Sequence, residues 1–216
     1  MIVVGAKGFA KEILQVVSVD LGLKDTAIVF FDNVSTDVDD YLFDRFKVLR
    51  SYDDVELWLN SSIDKEFVLG IGSPYLRQKM YNKFVSLNAT PKTVVAKNVE
   101  IGDFDIRLGN AIAIMSGTIL TNSISVGHGC LINLNCTIGH DCVIGDFVEM
   151  SPNVNLSGRC VVGKLTTIGT SAVILPNIVI GENVTIGAGA VITKDIPDNA
   201  VVVGIPGKII KFKDVL

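Results

Sequence analysis

The chain is poor in aromatic residues, charge and histidine. Aromatics are 7% of its 216 residues, with a single Trp, and Asp, Glu, Lys and Arg together are 19%, against roughly a quarter charged in an ordinary soluble domain. Low charge combined with 49% apolar residues excludes intrinsic disorder, which needs the opposite balance. A net charge of −4 and a pI near 5.2 argue against nucleic acid or an anionic membrane surface as the main partner. Mean hydropathy is +0.47, yet no run approaches the roughly eighteen uninterrupted apolar residues of a spanning helix. The N-terminal MIVVGAKG lacks the basic leader, apolar stretch and small-residue cleavage site of a secretion signal, so a cytoplasmic address is expected. The length suffices to bury a core without disulfides or metal.

What is present is unevenly placed. Thirteen of the fifteen aromatics lie at or before Phe104, and only seven charged residues fall between Ile106 and Ile192. Both shifts set a boundary near 88–94, around Asn88-Ala89-Thr90-Pro91. The expected organisation is an α/β domain over 1–90, a repeat domain over 91–195 and a C-terminal cap over 196–216.

The first part reads as a βαβ unit. Ile2-Val3-Val4 ends at Gly5, Gly8 follows, and Phe9 to Val19 carries apolar residues at helical spacing. Ala27–Phe31 is a second buried strand ending in Asp32-Asn33. Phe67–Ile71 is a third, followed by Gly72-Ser73 and a helix from Pro74, a favoured first-turn residue. A glycine turn opening a helix can cradle phosphate on backbone N–H groups, and Asp32 stands where a ribose partner is expected. The third dinucleotide glycine is absent, so NAD is not expected. The alternative is a tight strand–helix turn with no ligand.

The second part repeats every six residues. From Leu108 to Ile192, fifteen consecutive sixth positions are aliphatic, and eight are followed by Gly. Val95 and Ile101 extend the pattern with one extra residue around Asp105. A six-residue period fits a prism whose hexads each supply one short strand and one corner, three to a turn, so residues eighteen apart stack. Glycine relieves backbone crowding at the corner. Such solenoids need caps, here expected from the α/β unit at one end and the segment after Asp195 at the other. The uncharged outer faces imply a partner.

Of the two histidines, His140 in Gly139-His140-Asp141 lies just past a corner, where it can point outward. Neutral imidazole is well suited to act as a base. Asp141 could fix its tautomer, and Gly158, one turn on, could donate its N–H to a developing oxyanion. A solvated corner histidine is the plainer alternative. His128 falls on another edge and reads as structural. Cys130, Cys136, Cys142 and Cys160 share one repeat phase and read as small interior fillers. Their spacing is not that of a metal site, and no metal is expected.

The hexads, together with GAKGFAKEI (Gly5–Ile13), FFDN (Phe30–Asn33), GIGSPYLR (Gly70–Arg77), IGHDCVIGD (Ile138–Asp146) and VVVGIPGKII (Val201–Ile210), resemble the left-handed β-helix acetyltransferases of the nucleotide-sugar N-acetyltransferase and sialic acid O-acetyltransferase family. The resemblance implies a Rossmann-like α/β domain followed by an all-β left-handed parallel β-helix. It further implies an acetyl-CoA-dependent acetyltransferase acting on the amino group of a nucleotide-activated amino sugar, for surface glycan synthesis. His140 would be the base, with Asp141 beside it and with Gly158 and Asn133 near the acetyl group. Gly5, Gly8, Lys11, Asp32, Gly72, Ser73 and Arg77 would contact the nucleotide sugar. Glu149, Thr170, Ala188, Lys194, Pro206 and Lys208 would contact acetyl-CoA. The family also implies a homotrimer with active sites between subunits. Phe9 and Glu149 replace histidines of the amino-sugar enzymes, and Phe9 is shared with the O-acetylating branch, so O-acetylation of sialic acid or another capsule or O-antigen sugar stays open. A non-catalytic β-helix scaffold is the reading from another class.

Overall fold

The computed structural model describes residues 1–214 and comprises an α/β domain and a parallel β-helix closed by a hairpin. The α/β sheet is built from β1 (Ile2–Val4), β2 (Val29–Phe31), β3 (Tyr41–Leu42), β4 (Phe46–Leu49), β5 (Glu66–Leu69) and β6 (Thr90–Pro91), in the order β3-β4-β2-β1-β5-β6. All pairs are parallel except β3 with β4. β1 is buried on both faces: Val3 joins one core cluster, and Ile2 and Val4 the other. That explains its uninterrupted apolar run.

Helices α1 (Gly8–Gln15), α2 (Tyr52–Ser61) and α3 (Pro74–Ser86) cover the sheet. A one-turn π-helix at Val16–Asp20 prolongs α1 over most of the expected helical stretch. Ser51 and Asp54 form a reciprocal capping box at the start of α2. Ser73 caps α3, with Pro74 in its first turn. The strand Val29–Phe31 is shorter than expected, because a 3₁₀ turn takes up Asp25–Ala27. The β3–β4 hairpin and α2 were not anticipated from sequence.

The β-helix has three faces, and their registers bear out the stacking arithmetic. Ile119 pairs with Thr137, Ala113 with Leu131 and Ser125 with Val143, each eighteen residues on. The first coil is nineteen residues, since Val94 pairs with Ala113 and Glu100 with Ile119; the extra residue near Asp105 is real. At the other end Thr185 pairs with Val201, sixteen residues on, and the chain turns into the antiparallel hairpin Ala200–Val203 and Lys208–Phe212.

The interior holds the sixth-position aliphatics from Ile114 to Ile192 and the four cysteines, all buried in one cluster; Leu108, in the first coil, is exposed instead. The glycines after the aliphatics are required by coil-to-coil approach. A Cβ on Gly139 would lie 2.7 Å from the Gly158 nitrogen, and one on Gly163 2.5 Å from the Gly181 carbonyl carbon. Left-handed backbone falls two residues later, at every sixth residue from Asp105 to Gly189.

The α/β domain does not cap the end of the prism. It lies along the first face, whose outward residues Val94, Ala113 and Leu131 share a cluster with Val3, Ala10 and Ile13. The outer row of that face is apolar for three coils, so flank burial is cheaper than end burial. Among the described residues no helix is long and apolar enough to cross a membrane.

Candidate active site

His140 stands on the edge between the second and third faces. Its Nδ1 is 2.6 Å from Asp141 Oδ2, with 56% and 54% of the two side chains exposed. Asp141 occupies the left-handed corner position, φ 60°, which Asp tolerates better than most residues. The repeat thus aims a carboxylate back at the preceding imidazole. A carboxylate on one ring nitrogen orients the ring and leaves the other to take a proton. That other nitrogen lies over Gly158 on the next coil, where a Cβ would be 2.6 Å from Nε2 and 2.8 Å from Cε1. His128, by contrast, stitches coils together. Its Nδ1 accepts from the Asn110 N–H at 2.9 Å, and its own N–H donates to Asp146 at 2.7 Å.

The other expected site residues of the β-helix lie elsewhere. Asn133, Thr170 and Ala188 are on the edge between the first and second faces, one edge from His140. Thr170 and Ala188 are exposed and stacked on successive coils. Asn133 Oδ1 accepts from the Leu134 N–H at 2.8 Å. Lys194 is exposed past the last full coil, and Pro206 and Lys208 are exposed at the turn of the final hairpin.

Glu149 departs from expectation. It continues the outward row of the first face, where the α/β domain covers it, and is 9% exposed. Burial pushes its carboxyl up from the usual range, against the Ser151 hydroxyl donating at 2.8 Å and the nearby charge of Arg77.

A cavity of about 500 Å³ opens at the carboxyl ends of β1, β2 and β5, the crevice position at which parallel α/β sheets take ligands. Gly5, Gly8, Asp32 and Gly72 line it. Gly8 and Gly72 face open space, whereas Gly5, at φ +109°, is needed structurally because a Cβ would meet the Gly70 carbonyl at 2.8 Å. The α1 N-terminus here has no side-chain cap and no acidic residue in its first turn, which suits an anion. Burial alone would raise the Asp32 carboxyl. Hydrogen bonds from the Ser35 and Val34 backbone (2.8 and 3.0 Å) and the Arg50 charge outweigh it and hold the carboxyl below its ordinary value.

Three expected contacts are not in this cavity. Lys11 turns away, its Nζ 5.6 Å above the Phe43 ring. Ser73 faces a separate cleft between α3 and the β-helix. Arg77 is 1% exposed and spends its donors on backbone carbonyls.

In their place the cavity has Lys7 and Lys79, which sequence reasoning missed. Lys7 sits inside the Gly5–Gly8 turn, a signal that was available; it forms an ion pair with Asp37 at 2.7 Å. No residue lining the cavity comes from the β-helix, and no group of three or more potential metal ligands occurs among the described residues.

Residues 1–84 match the PglD N-terminal domain family, and residues 159–194 match the bacterial transferase hexapeptide (six repeats) family. The transferase-type hexads lie in the same β-helix as the exposed His140–Asp141 pair, which precedes them by one coil, an arrangement that marks a hexapeptide-repeat acyltransferase. The chain is 28% identical to WeeI from Acinetobacter baumannii AYE, with TM-score 0.89 over 97% of this chain and 98% of that one. It is 27% identical to the acetyltransferase domain of PglB from Neisseria gonorrhoeae FA1090, solved with acetyl coenzyme A (TM-score 0.81, 97% and 98% covered). The fold is also that of PerB from Caulobacter crescentus, solved with CoA and GDP-perosamine (23% identity, TM-score 0.81, 96% and 95% covered). In both matched segments and in overall fold the chain is similar to left-handed β-helix acetyltransferases of sugar substrates. No curated protein matches it.

Proposed function

We propose that the protein transfers an acetyl group from acetyl-CoA to the amino group of a nucleotide-linked amino sugar. The observation that carries this is the His140–Asp141 pair at 2.6 Å with the imidazole seated over Gly158. His140 Nε2 removes the acceptor proton as the amine nitrogen bonds to the thioester carbonyl carbon. The Gly158 N–H receives the oxyanion. Collapse breaks the C–S bond, and the imidazolium returns its proton to the departing thiolate. The PglB domain bound to acetyl-CoA supports the donor, and the complex of PerB with GDP-perosamine supports the acceptor class by likeness of fold.

The nucleotide occupies the cavity of the α/β domain. Its diphosphate meets the α1 N-terminus and the two lysines, and its ribose meets Asp32. Acetyl-CoA runs along the edge of Thr170 and Ala188, towards Lys194, Pro206 and Lys208. These residues occupy a different edge from His140, so a site assembled from both edges requires neighbouring copies. A threefold assembly of three-sided prisms supplies it, and Asn133 enters the site the same way. Sedimentation at three times the 23.2 kDa chain mass is expected. The working division of the chain is 1–90 for the acceptor, 91–195 for transfer and 196–216 as cap.

Phe9 in the cavity wall favours a second reading, O-acetylation of sialic acid or a related sugar. Release of CoA thiol from acetyl-CoA with UDP-, GDP- and dTDP-linked amino sugars, CMP-sialic acid and free sialic acid separates the two. Turnover with an amino sugar alone supports the first; turnover with no acceptor removes both.

A further inference from the structure

Among the described residues Arg77 is the largest fully buried polar side chain, and none of their carboxylates lies within ion-pair distance of it. A buried charge is tolerated only where hydrogen bonds replace its water, and here five carbonyls do so. Nε donates to Gly129 O at 2.8 Å. Nη2 donates to Phe147 O at 2.9 Å and Val148 O at 3.0 Å. Nη1 donates to Ile71 O at 3.4 Å and to Gly72 O.

The two groups of carbonyls belong to different machinery. Ile71 and Gly72 form part of the wall of the nucleotide cavity. Gly129 and Phe147 are the same corner on successive coils, eighteen residues apart, and the single coil between them carries His140 and Asp141.

Phe147 reinforces the junction. It is the one aromatic between Ile106 and Lys211, and a bulky residue at φ 56° is strained in the left-handed region. Its ring lies over Gly129, where a Cβ would approach to 2.2 Å. It also meets Tyr81 of α3 edge-on, at 5.6 Å and 73°. An aromatic tolerated at a strained corner, directly against the helix that bears Arg77, marks this as a built joint.

We propose that Arg77 is a positioning residue, a rigid strut that fixes the Ile71–Gly72 wall of the nucleotide cavity to the coil carrying His140. This rests on the nucleotide reading of the cavity. Without the guanidinium the two wall carbonyls lose their partner and the wall relaxes, while the acetyl-CoA edge of Thr170 and Ala188, to which Arg77 makes no hydrogen bond, keeps its geometry.

The test is calorimetric binding of UDP, GDP, dTDP and CMP to the full chain, followed by steady-state kinetics with the acceptor that the wild type uses. For Arg77→Met the Kd of the nucleotide that binds and the KM of the acceptor rise about tenfold, while the KM for acetyl-CoA stays within twofold. Arg77→Lys keeps the charge but has one nitrogen for two groups of carbonyls, and falls between. A purely architectural role would lower melting temperature and leave both constants unchanged in the folded protein; that result overturns the proposal.

Hydrogen exchange on the wild type needs no variant. Nucleotide should slow exchange at 71–77 and also across 129–148, and slowing confined to the cavity refutes the strut. If the wild type binds none of the four nucleotides, the cavity reading fails and takes this one with it. If the wild type binds and Arg77→Met binds equally well, only the strut fails.

Discussion

Replacing Gly158 by alanine should remove activity at almost no cost in stability. A Cβ at this position would stand 2.6 Å from His140 Nε2, 2.8 Å from Cε1 and 3.0 Å from Cδ2. Ordinary contact begins near 3.4 Å, so the ring must withdraw by roughly 0.8 Å, which breaks its alignment with Asp141. Displacement of a catalytic group by about 1 Å costs on the order of 10²-fold in rate. More than half of the imidazole is exposed, so it can swing into water, and the change in unfolding free energy should stay within about 0.5 kcal/mol. Gly139→Ala is the matched control. Its Cβ would strike backbone, 2.7 Å from the Gly158 nitrogen and 2.9 Å from the Ser157 carbonyl carbon, forcing two coils apart at about 1–3 kcal/mol. The assay is thiol release from acetyl-CoA, with denaturant unfolding in parallel. A Gly158→Ala enzyme that keeps kcat within threefold of wild type would refute the placement of the ring. So would one that loses as much stability as Gly139→Ala.

Two further outcomes follow from side-chain placement. Lys7→Ala and Lys79→Ala should each raise the acceptor KM by about three- to tenfold, whereas Lys11→Ala, with its ammonium over Phe43, should change it less than twofold; the reverse pattern would refute the cavity assignment. Burial raises the Glu149 carboxyl pKa above its unfolded value. Its contribution to stability is therefore intact below the ordinary Glu range and is lost as pH rises through the raised folded value. Glu149→Gln, which retains an acceptor for Ser151, should raise Tm at pH 7.5 and leave it unchanged at pH 4; an equal shift at both, or a fall at pH 7.5, would contradict this.

The β-helix was legible because its interior is a strict repeat. Sixth-position aliphatics set the coil length, and the extra residue near Asp105 announced the nineteen-residue first coil. The left-handed corners were not legible, because Asp141, Phe147, Arg159 and Leu165 share no chemistry and are held there by the coils above and below. In the α/β domain the buried runs were visible, but the two-residue strand Tyr41–Leu42 is too short to show periodicity. The capping box Ser51…Asp54 was a missed local signal for α2.

The His140–Asp141 pair could be read from adjacent residues. Arg77 could not. It looked like a ligand-binding cation in a GIGSPYLR stretch, and its burial depends on carbonyls 52 to 71 residues away. Lys11 was misplaced for a simpler reason: one turn of α1 separates it from Lys7, and only Lys7 sits in the glycine turn.

The proposed acetyl transfer depends most on His140 acting as the base. The direct measurement is kcat for CoA thiol release by the His140→Ala variant, with the acceptor that the wild type uses and with folding verified by circular dichroism. A general base contributes about 10²–10⁴-fold, so a loss of at least a hundredfold, with the acetyl-CoA KM within about threefold, is predicted. A folded His140→Ala protein that turns over at close to the wild-type rate would contradict the mechanism outright.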